Sequence, residues 1–433
     1  MPLARSTPTA AAALLLALTL GSARASVPDL FGYGARACAL AGTVVSNPQG
    51  HAGVYYNPGA LAFEERPTFS LGYQRANLSL DIDGHDVGAR TASATLIGFD
   101  IPLPLGGFLA RRLTIANGFV IPTNTVLTAD IPRPGAPQFA IVENRAQTVT
   151  LQGALGVRIT DWLGVGVGVL ALSALQGAID VAPNAEGRIG SQARDQLVAS
   201  YAGVAGLSLR LPGGAAVGAV YRGESQARFT LPITASLGDS FPLPVPTLDI
   251  TGVAQYDPRQ VAVEVSGAPF DGFSRLLAGL RVAAGFTWKQ WSHFPIPIAY
   301  TAVPPDFPTQ PAPDFHDAYE WRGALEWPLP AGPIVVSPRL GYQFAPTPVG
   351  EQTGLHNMLD SDRHLLGAGA GLRWDRLTLD LGVQWHHMVE RAHTKDAALI
   401  EAAGFEAATH PGTPSIRHRG EILGFQVELG VDL

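Results

Sequence analysis

From residue 67 onward the chain alternates between large apolar side chains and small or polar ones. Leu377, Leu379, Leu381, Val383 and Trp385 share one face, with Thr378, Asp380, Gly382, Gln384 and His386 on the other. The end of the chain repeats the code: Leu423, Phe425, Val427, Leu429, Val431 and Leu433 oppose Gly424, Gln426, Glu428, Gly430 and Asp432. A period of two predicts strands. Fourteen segments carry it, near 67–80, 90–103, 112–122, 145–160, 162–176, 196–211, 214–229, 258–267, 276–290, 317–328, 333–344, 363–374, 376–388 and 420–433. Most reach the 9 to 11 residues that a transmembrane strand needs.

Alternation alone fits a soluble sandwich with its apolar face inward or a membrane barrel with its apolar face outward. Two features choose the barrel. Short connections at 102–111, 160–162, 211–214, 267–274, 328–333 and 374–376 alternate with long ones near 81–89, 123–144, 177–195, 230–257, 291–316, 345–362 and 389–419. Short turns on one side and long loops on the other mark bacterial outer-membrane barrels. All seven Trp residues fall near strand ends, with Trp288, Trp291, Trp321 and Trp385 on the long-loop side and Trp162, Trp327 and Trp374 on the short-turn side. Indole favours the headgroup level, so two belts are expected.

The front of the chain differs. Arg5, an apolar run from Ala10 to Leu20 and Ala23-Arg24-Ala25 read as a cleaved signal peptide over 1–25. Residues 26–66 are rich in glycine and alanine and have no sustained period. A closed barrel leaves a lumen to be filled, and this segment is the natural filler. The expected organisation is a signal peptide (1–25), an N-terminal hatch (26–66) and a barrel (67–433).

Composition agrees. Charged residues are 15% of the chain and no apolar block is long enough for a membrane helix. Net charge is −7, and loss of Arg5 and Arg24 makes it more acidic, which excludes a basic nucleic-acid surface. Cys38 is the only cysteine, so no internal disulfide forms, and it reads as a small buried residue. Among the histidines, His386, His387 and His393 are the densest group, but strand neighbours point to opposite faces, so no metal site is expected. No nucleophile elbow or other catalytic set is present, and neither an enzyme nor a cofactor is expected.

Several motifs then become specific. Gly32-x-Gly34-Ala35-Arg36, Tyr55-Tyr56-Asn57-Pro58-Gly59 and Arg66-Pro67-Thr68-Phe69-Ser70 resemble the N-terminal hatch of the FadL/TodX (OMPP1) family of outer-membrane hydrophobic-compound transporters. Tyr221-Arg222-Gly223-Glu224, the Trp288 to Phe294 stretch, Phe315 to Tyr319, Pro346 to Val349 and Asp360 to His364 continue the resemblance in order. It implies an all-β, 14-stranded antiparallel transmembrane barrel, plugged by the hatch, for passive uptake of hydrophobic molecules such as long-chain fatty acids. An outer groove, a lumenal pocket and hatch displacement would carry them. The family has Asn-Pro-Ala where this chain has Asn57-Pro58-Gly59, and the glycine predicts a looser turn. Alternatives are a barrel that anchors an enzyme or adhesin, or a plain porin, which would need no hatch.

Three further expectations concern sites. If apolar faces meet lipid, the lumen receives Arg158, Arg210, Arg222, Arg281, Lys289, Arg322 and Arg339, with Glu224, Glu264, Glu320, Glu326, Asp380 and Glu428 to pair them. The resemblance makes Arg222, Arg281 and Lys289 candidates for a carboxylate head group, although Ser173-Ala174-Leu175-Gln176 lacks a basic residue and leaves neutral cargo open. Phe229, Leu231, Ile233, Phe241, Leu243 and Leu248, interleaved with prolines, suggest an apolar capture loop. Gly118 and Pro122 in the third strand suggest a break in the wall, since Gly packs no side chain and Pro cannot donate to a ladder. The expected partners are a small hydrophobic ligand, the lipid bilayer with its lipopolysaccharide, and the barrel-insertion machinery, with the protein a monomer in the outer membrane.

Overall fold

The computed structural model describes residues 27–123, 135–139, 141–142, 149–183, 189–235, 248–274, 277–296, 298–300 and 313–433. The signal peptide expected at 1–25 lies outside them. Fourteen strands close a ring: β1 (Thr68–Ile82), β2 (Ala92–Pro102), β3 (Leu113–Pro122), β4 (Thr150–Arg158), β5 (Leu163–Pro183), β6 (Ile189–Arg210), β7 (Ala216–Arg222), β8 (Gln260–Gly267), β9 (Arg281–Lys289), β10 (Ala318–Glu326), β11 (Ile334–Ala345), β12 (Arg363–Trp374), β13 (Leu377–Thr394) and β14 (Ser415–Asp432). Each pairs antiparallel with the next. β14 closes on β1, from Thr68 opposite Asp432 to Ile82 opposite His418. All fourteen expected segments are strands of this ring.

The outward face is apolar: Val167, Val169, Leu381, Val383, Leu423 and Leu429 are all exposed. The inward face of β5 is glycine, in the run Leu163-Gly164-Val165-Gly166-Val167-Gly168. The reason lies in the lumen, where residues 27–63 pack so close that side chains on the wall would not fit. A β-carbon on Gly382 would lie 2.5 Å from the Ala35 carbonyl oxygen, and one on Gly367 would lie 2.7 Å from that of Ala39.

The filler is built from short turns: α1 (Val27–Phe31), α2 (Ala35–Ala39), α3 (Gly53–Tyr56) and 3₁₀ turns at Gly50–Ala52 and Pro58–Phe63. Gly32 and Gly34 take positive φ values of 82° and 96°, which lets the chain turn between α1 and α2. Tyr33, Ala35, Cys38, Leu40, Val44, Val45, Tyr55, Tyr56 and Leu61 are buried, so the filler supplies a large part of the hydrophobic core, packed against wall residues such as Leu96 and Val120.

Three expectations change. The seventh strand ends at Arg222 rather than 229, because the chain leaves the wall as Ser225–Ala235, which pairs with Leu248–Asp257 and runs parallel to the outer part of β5. The expected loop at 230–257 is therefore largely a β-hairpin. β5 and β6 hold 21 and 22 residues, about twice a membrane crossing, so they carry this outer sheet. Trp291 does not join a lipid-facing belt: it is buried against Tyr256, Phe294 and Phe315. Trp162, Trp321, Trp374 and Trp385 are exposed on the wall.

Beyond the outer ends of β11 to β14 the connections fold into a cap. Gln138-Phe139 pairs with Met358-Leu359 there, and Ile400, Ile416, Met358 and Leu359 are buried. No described helix is long and apolar enough to cross a membrane.

Candidate functional site

The filler carries only two charged residues between 27 and 50, Asp29 and Arg36. A charge away from bulk water needs a partner, and both find theirs on the wall. Asp29 meets Lys289 Nζ at 3.0 Å, and Lys289 also reaches Glu320 at 2.9 Å. Glu320 takes a second cation, Arg322, at 2.6 Å. Arg36 donates from Nε and Nη2 to the two oxygens of Glu326, at 2.9 and 2.7 Å. Arg339 donates to the same carboxylate at 2.8 Å and also bridges to Asp380. Lys289, Arg322 and Arg339 pair with Glu320, Glu326 and Asp380 as expected, whereas Arg158 and Arg222 are taken up by filler carbonyls and Glu264 by filler amides. Two of the ion pairs tie the filler to the barrel.

Backbone amides of the filler are held by wall carboxylates as well. Glu264 accepts from the Val45 and Ser46 amides at 3.0 Å each, and Glu428 accepts from Ala35 N–H at 3.0 Å. Gln426 donates to the Phe31 carbonyl at 2.6 Å, and Gln384 to that of Cys38 at 2.9 Å. These contacts come from β8, β13 and β14, so the filler is fastened on several sides at once.

Asn57-Pro58-Gly59 sits against β5 and β6. Asn57 Nδ2 donates to the carbonyls of Val45 and Leu207, both at 2.9 Å, and its Oδ1 accepts from Gly59 N–H at 3.0 Å. A β-carbon on Gly59 would lie 2.7 Å from the Gly206 carbonyl oxygen and 2.9 Å from Leu207 Cα. The glycine therefore serves close approach, and the turn is clamped where sequence reasoning expected looseness.

The remaining candidates fall as follows. Arg222 donates to the Tyr55 carbonyl at 2.6 Å and lies over the Tyr55 ring at 4.0 Å. Lys289 is committed to Asp29 and Glu320. Arg281 lines a lower chamber, so the structure does not gather Arg222, Arg281 and Lys289 into one site. Phe241 and Leu243 lie outside the described residues, as do the side chains of Phe229, Leu231, Ile233 and Leu248. Gly118 is paired on both sides, with Gly98 and with Gln152, and the ladders run without a bulge. The expected break there is absent, because the glycine makes room for the ring of Tyr33 rather than interrupting the strand. Pro122 ends β3 and pairs with Ala94 alone, two residues past the last β4 partner at Val120.

Openings among the described residues lie on both sides of the filler. On the short-turn side a chamber of about 750 Å³ is lined by ionic side chains, among them Glu64, Arg66, Arg210, Arg281, Arg373 and Asp432. On the opposite side, among the described residues, a gap of about 30 Å³ lies between Asp29, Leu30, Tyr55, Arg222 and Leu365. The filler residues Tyr33 and His51 were missed from sequence. The signal available for the filler's anchors was the isolation of Asp29 and Arg36 in an otherwise uncharged stretch.

An apolar-faced, closed fourteen-stranded ring with its interior occupied by its own N-terminal segment defines a transmembrane outer-membrane barrel. The comparisons with known proteins agree. Residues 17–412 match the family described as outer membrane protein transport protein (OMPP1/FadL/TodX), and the chain belongs to that family. Its fold is similar to that of a Pseudomonas aeruginosa FadL homologue, with a TM-score of 0.61 and 13% identity over 92% of this chain and 98% of that one. The P. putida toluene transporter TodX gives 0.55 and 16% over 94% and 99%. The Ralstonia pickettii toluene transporter TbuX gives 0.51 and 16% over 93% and 99%. No curated protein matches the sequence.

Proposed function

We propose that the protein admits small neutral hydrophobic compounds across the outer membrane by passive diffusion, with residues 26–66 acting as a displaceable hatch. The observation that carries this reading is the occupied lumen: residues 27–63 pack against the wall, and the gap of about 30 Å³ beside Asp29 and Tyr55, among the described residues, is too small for cargo until the hatch moves. Family membership supports the cargo class, and the TodX and TbuX relatives are named as toluene transporters. The proposed capture surface is the apolar set read from the sequence, Phe229, Leu231, Ile233, Phe241, Leu243 and Leu248.

Neutral cargo is favoured over fatty acids by the state of the lumenal cations. Arg222 and Lys289 are already occupied by the hatch and its partners. A carboxylate head group would have to displace Asp29 to use Lys289, whereas a hydrocarbon needs only apolar surface. The test is uptake of radiolabelled toluene and of oleate by cells that lack their own transporters of this class. Faster toluene entry with the protein than without it is expected. Equal rates would sink the reading, and acceleration of oleate alone would reassign the cargo to acids.

A further inference from the structure

We propose that Tyr33 and His51 are the pins that seat the hatch, each ring set into a notch left by a glycine in the wall. The proposal rests on the hatch reading and adds which residues hold the hatch shut. Gly430, Ser70, Gly98, Gly118 and Gln152 are successive cross-strand partners on β14, β1, β2, β3 and β4. The middle of that row is bare backbone. His51 fills the notch at Gly98, where a β-carbon would overlap its imidazole, and Tyr33 fills the notch at Gly118, where a β-carbon would overlap its phenol.

The two pins hold each other. Their rings meet edge to face at 5.1 Å and 76°. His51 Nδ1 is hydrogen-bonded to Ser70 Oγ on β1 at 2.6 Å, and its Nε2 lies 3.6 Å from Glu428 on β14. Tyr33 N–H donates to the Tyr56 hydroxyl at 3.0 Å, and Tyr55 packs against both tyrosines. The imidazole thus spans β14, β1 and β2, the phenol continues to β3, and the tyrosine cluster connects both to the Asn57 turn. Neither glycine has a positive φ, so the wall itself accepts alanine at either place. A methyl group at 98 or 118 excludes the pin and leaves the barrel intact.

The experiment uses the full mature chain in planar bilayers, with heat-resistant electrophoretic migration reporting the barrel. Gly118→Ala and Gly98→Ala should each raise the open probability by about tenfold or more, the ratio that 1.4 kcal/mol of overpacking produces. Gly424→Ala, also on the inner wall, should behave as the parent, because its nearest neighbours lie at 3.8 Å. Tyr33→Ala should leak as Gly118→Ala does, and Tyr33→Ala/Gly118→Ala should be no leakier than Tyr33→Ala alone, because the ring that met the methyl is gone. Tyr33→Phe should remain closed.

Deletion of 27–58 separates the two ideas. A quiet Gly118→Ala and a quiet Tyr33→Ala beside a conducting deletion would overturn the pins and leave the hatch standing. A deletion that conducts no better than the parent would remove the hatch reading and the pins with it.

Discussion

Glu326 on β10 gives the sharpest test of how the proposed hatch is held. It receives a two-point contact from Arg36 of the hatch and a third bond from Arg339 of β11. The Arg36 and Glu326 side chains are 12% and 8% exposed, so solvent does little to replace a lost partner. Breaking a buried pair from one side costs about 3–5 kcal/mol. Glu326→Gln forfeits less, because Arg339 keeps Asp380 and Arg36 keeps its bond to the Asn47 carbonyl at 2.9 Å. We take about 2–3 kcal/mol, charged against the seated hatch alone. That shifts the ratio of open to closed hatch by roughly 30- to 150-fold. Single-channel recording should show the increase at unchanged unit barrel stability. A double-mutant cycle with Arg36→Met should show strong coupling, since each change removes the same contact. Asp432→Asn is the control, because its partner Arg373 is 56% exposed and such a pair contributes little. Unaltered gating in a folded Glu326→Gln protein, or strictly additive effects with Arg36→Met, would refute the reasoning.

Three other predictions rest on separate parts of the fold. Gly59→Ala, which installs the family's alanine, should cost about 1–3 kcal/mol of hatch seating, because the methyl meets Gly206 backbone at 2.7 Å; faster maleimide modification of Cys38, buried in the hatch, reads this directly. In a Cys38→Ser background a cysteine replacing Glu406 in the cap should be labelled on intact cells and one replacing Gly213 in a short turn should not, and the opposite pattern would invert the topology. The cap should loosen on acidification: His393 and His418, stacked at 5.2 Å near the outer ends of β13 and β14 beyond the membrane, are held by burial at about 3 and about 4, with Arg391 nearby also lowering both. Both therefore bind protons more readily when the cap is open, so its stability is full above about pH 6.5 and declines as pH falls toward 4. Limited proteolysis of 397–412 should accelerate between pH 7 and pH 4.5, and His393→Phe/His418→Phe should flatten that dependence.

The architecture was legible because each strand states its own environment. Leu423, Phe425 and Leu429 against Gly424, Gln426 and Glu428 specify one face for lipid and one for the interior, and loop lengths with the tryptophans decide which is which. The lumenal ionic residues were also legible, since the inward phase of each strand is fixed once its outward phase is known. What sequence left open was every relation between the filler and the wall. Period-two patterning says that Gly59, Gly98 and Gly118 face inward or lie in a turn, but not that Leu207, His51 and Tyr33 occupy the space beside them. Gly118 read as a weak point in a strand and proved to be a seat for a ring. Gly59 read as slack and proved to be a clearance. Local sequence sets the direction of a side chain within a few residues of itself. Contacts across 85 residues, as between Tyr33 and Gly118, or across nearly 400, as between Ala35 and Glu428, exist only when the ring has closed around the segment it encloses.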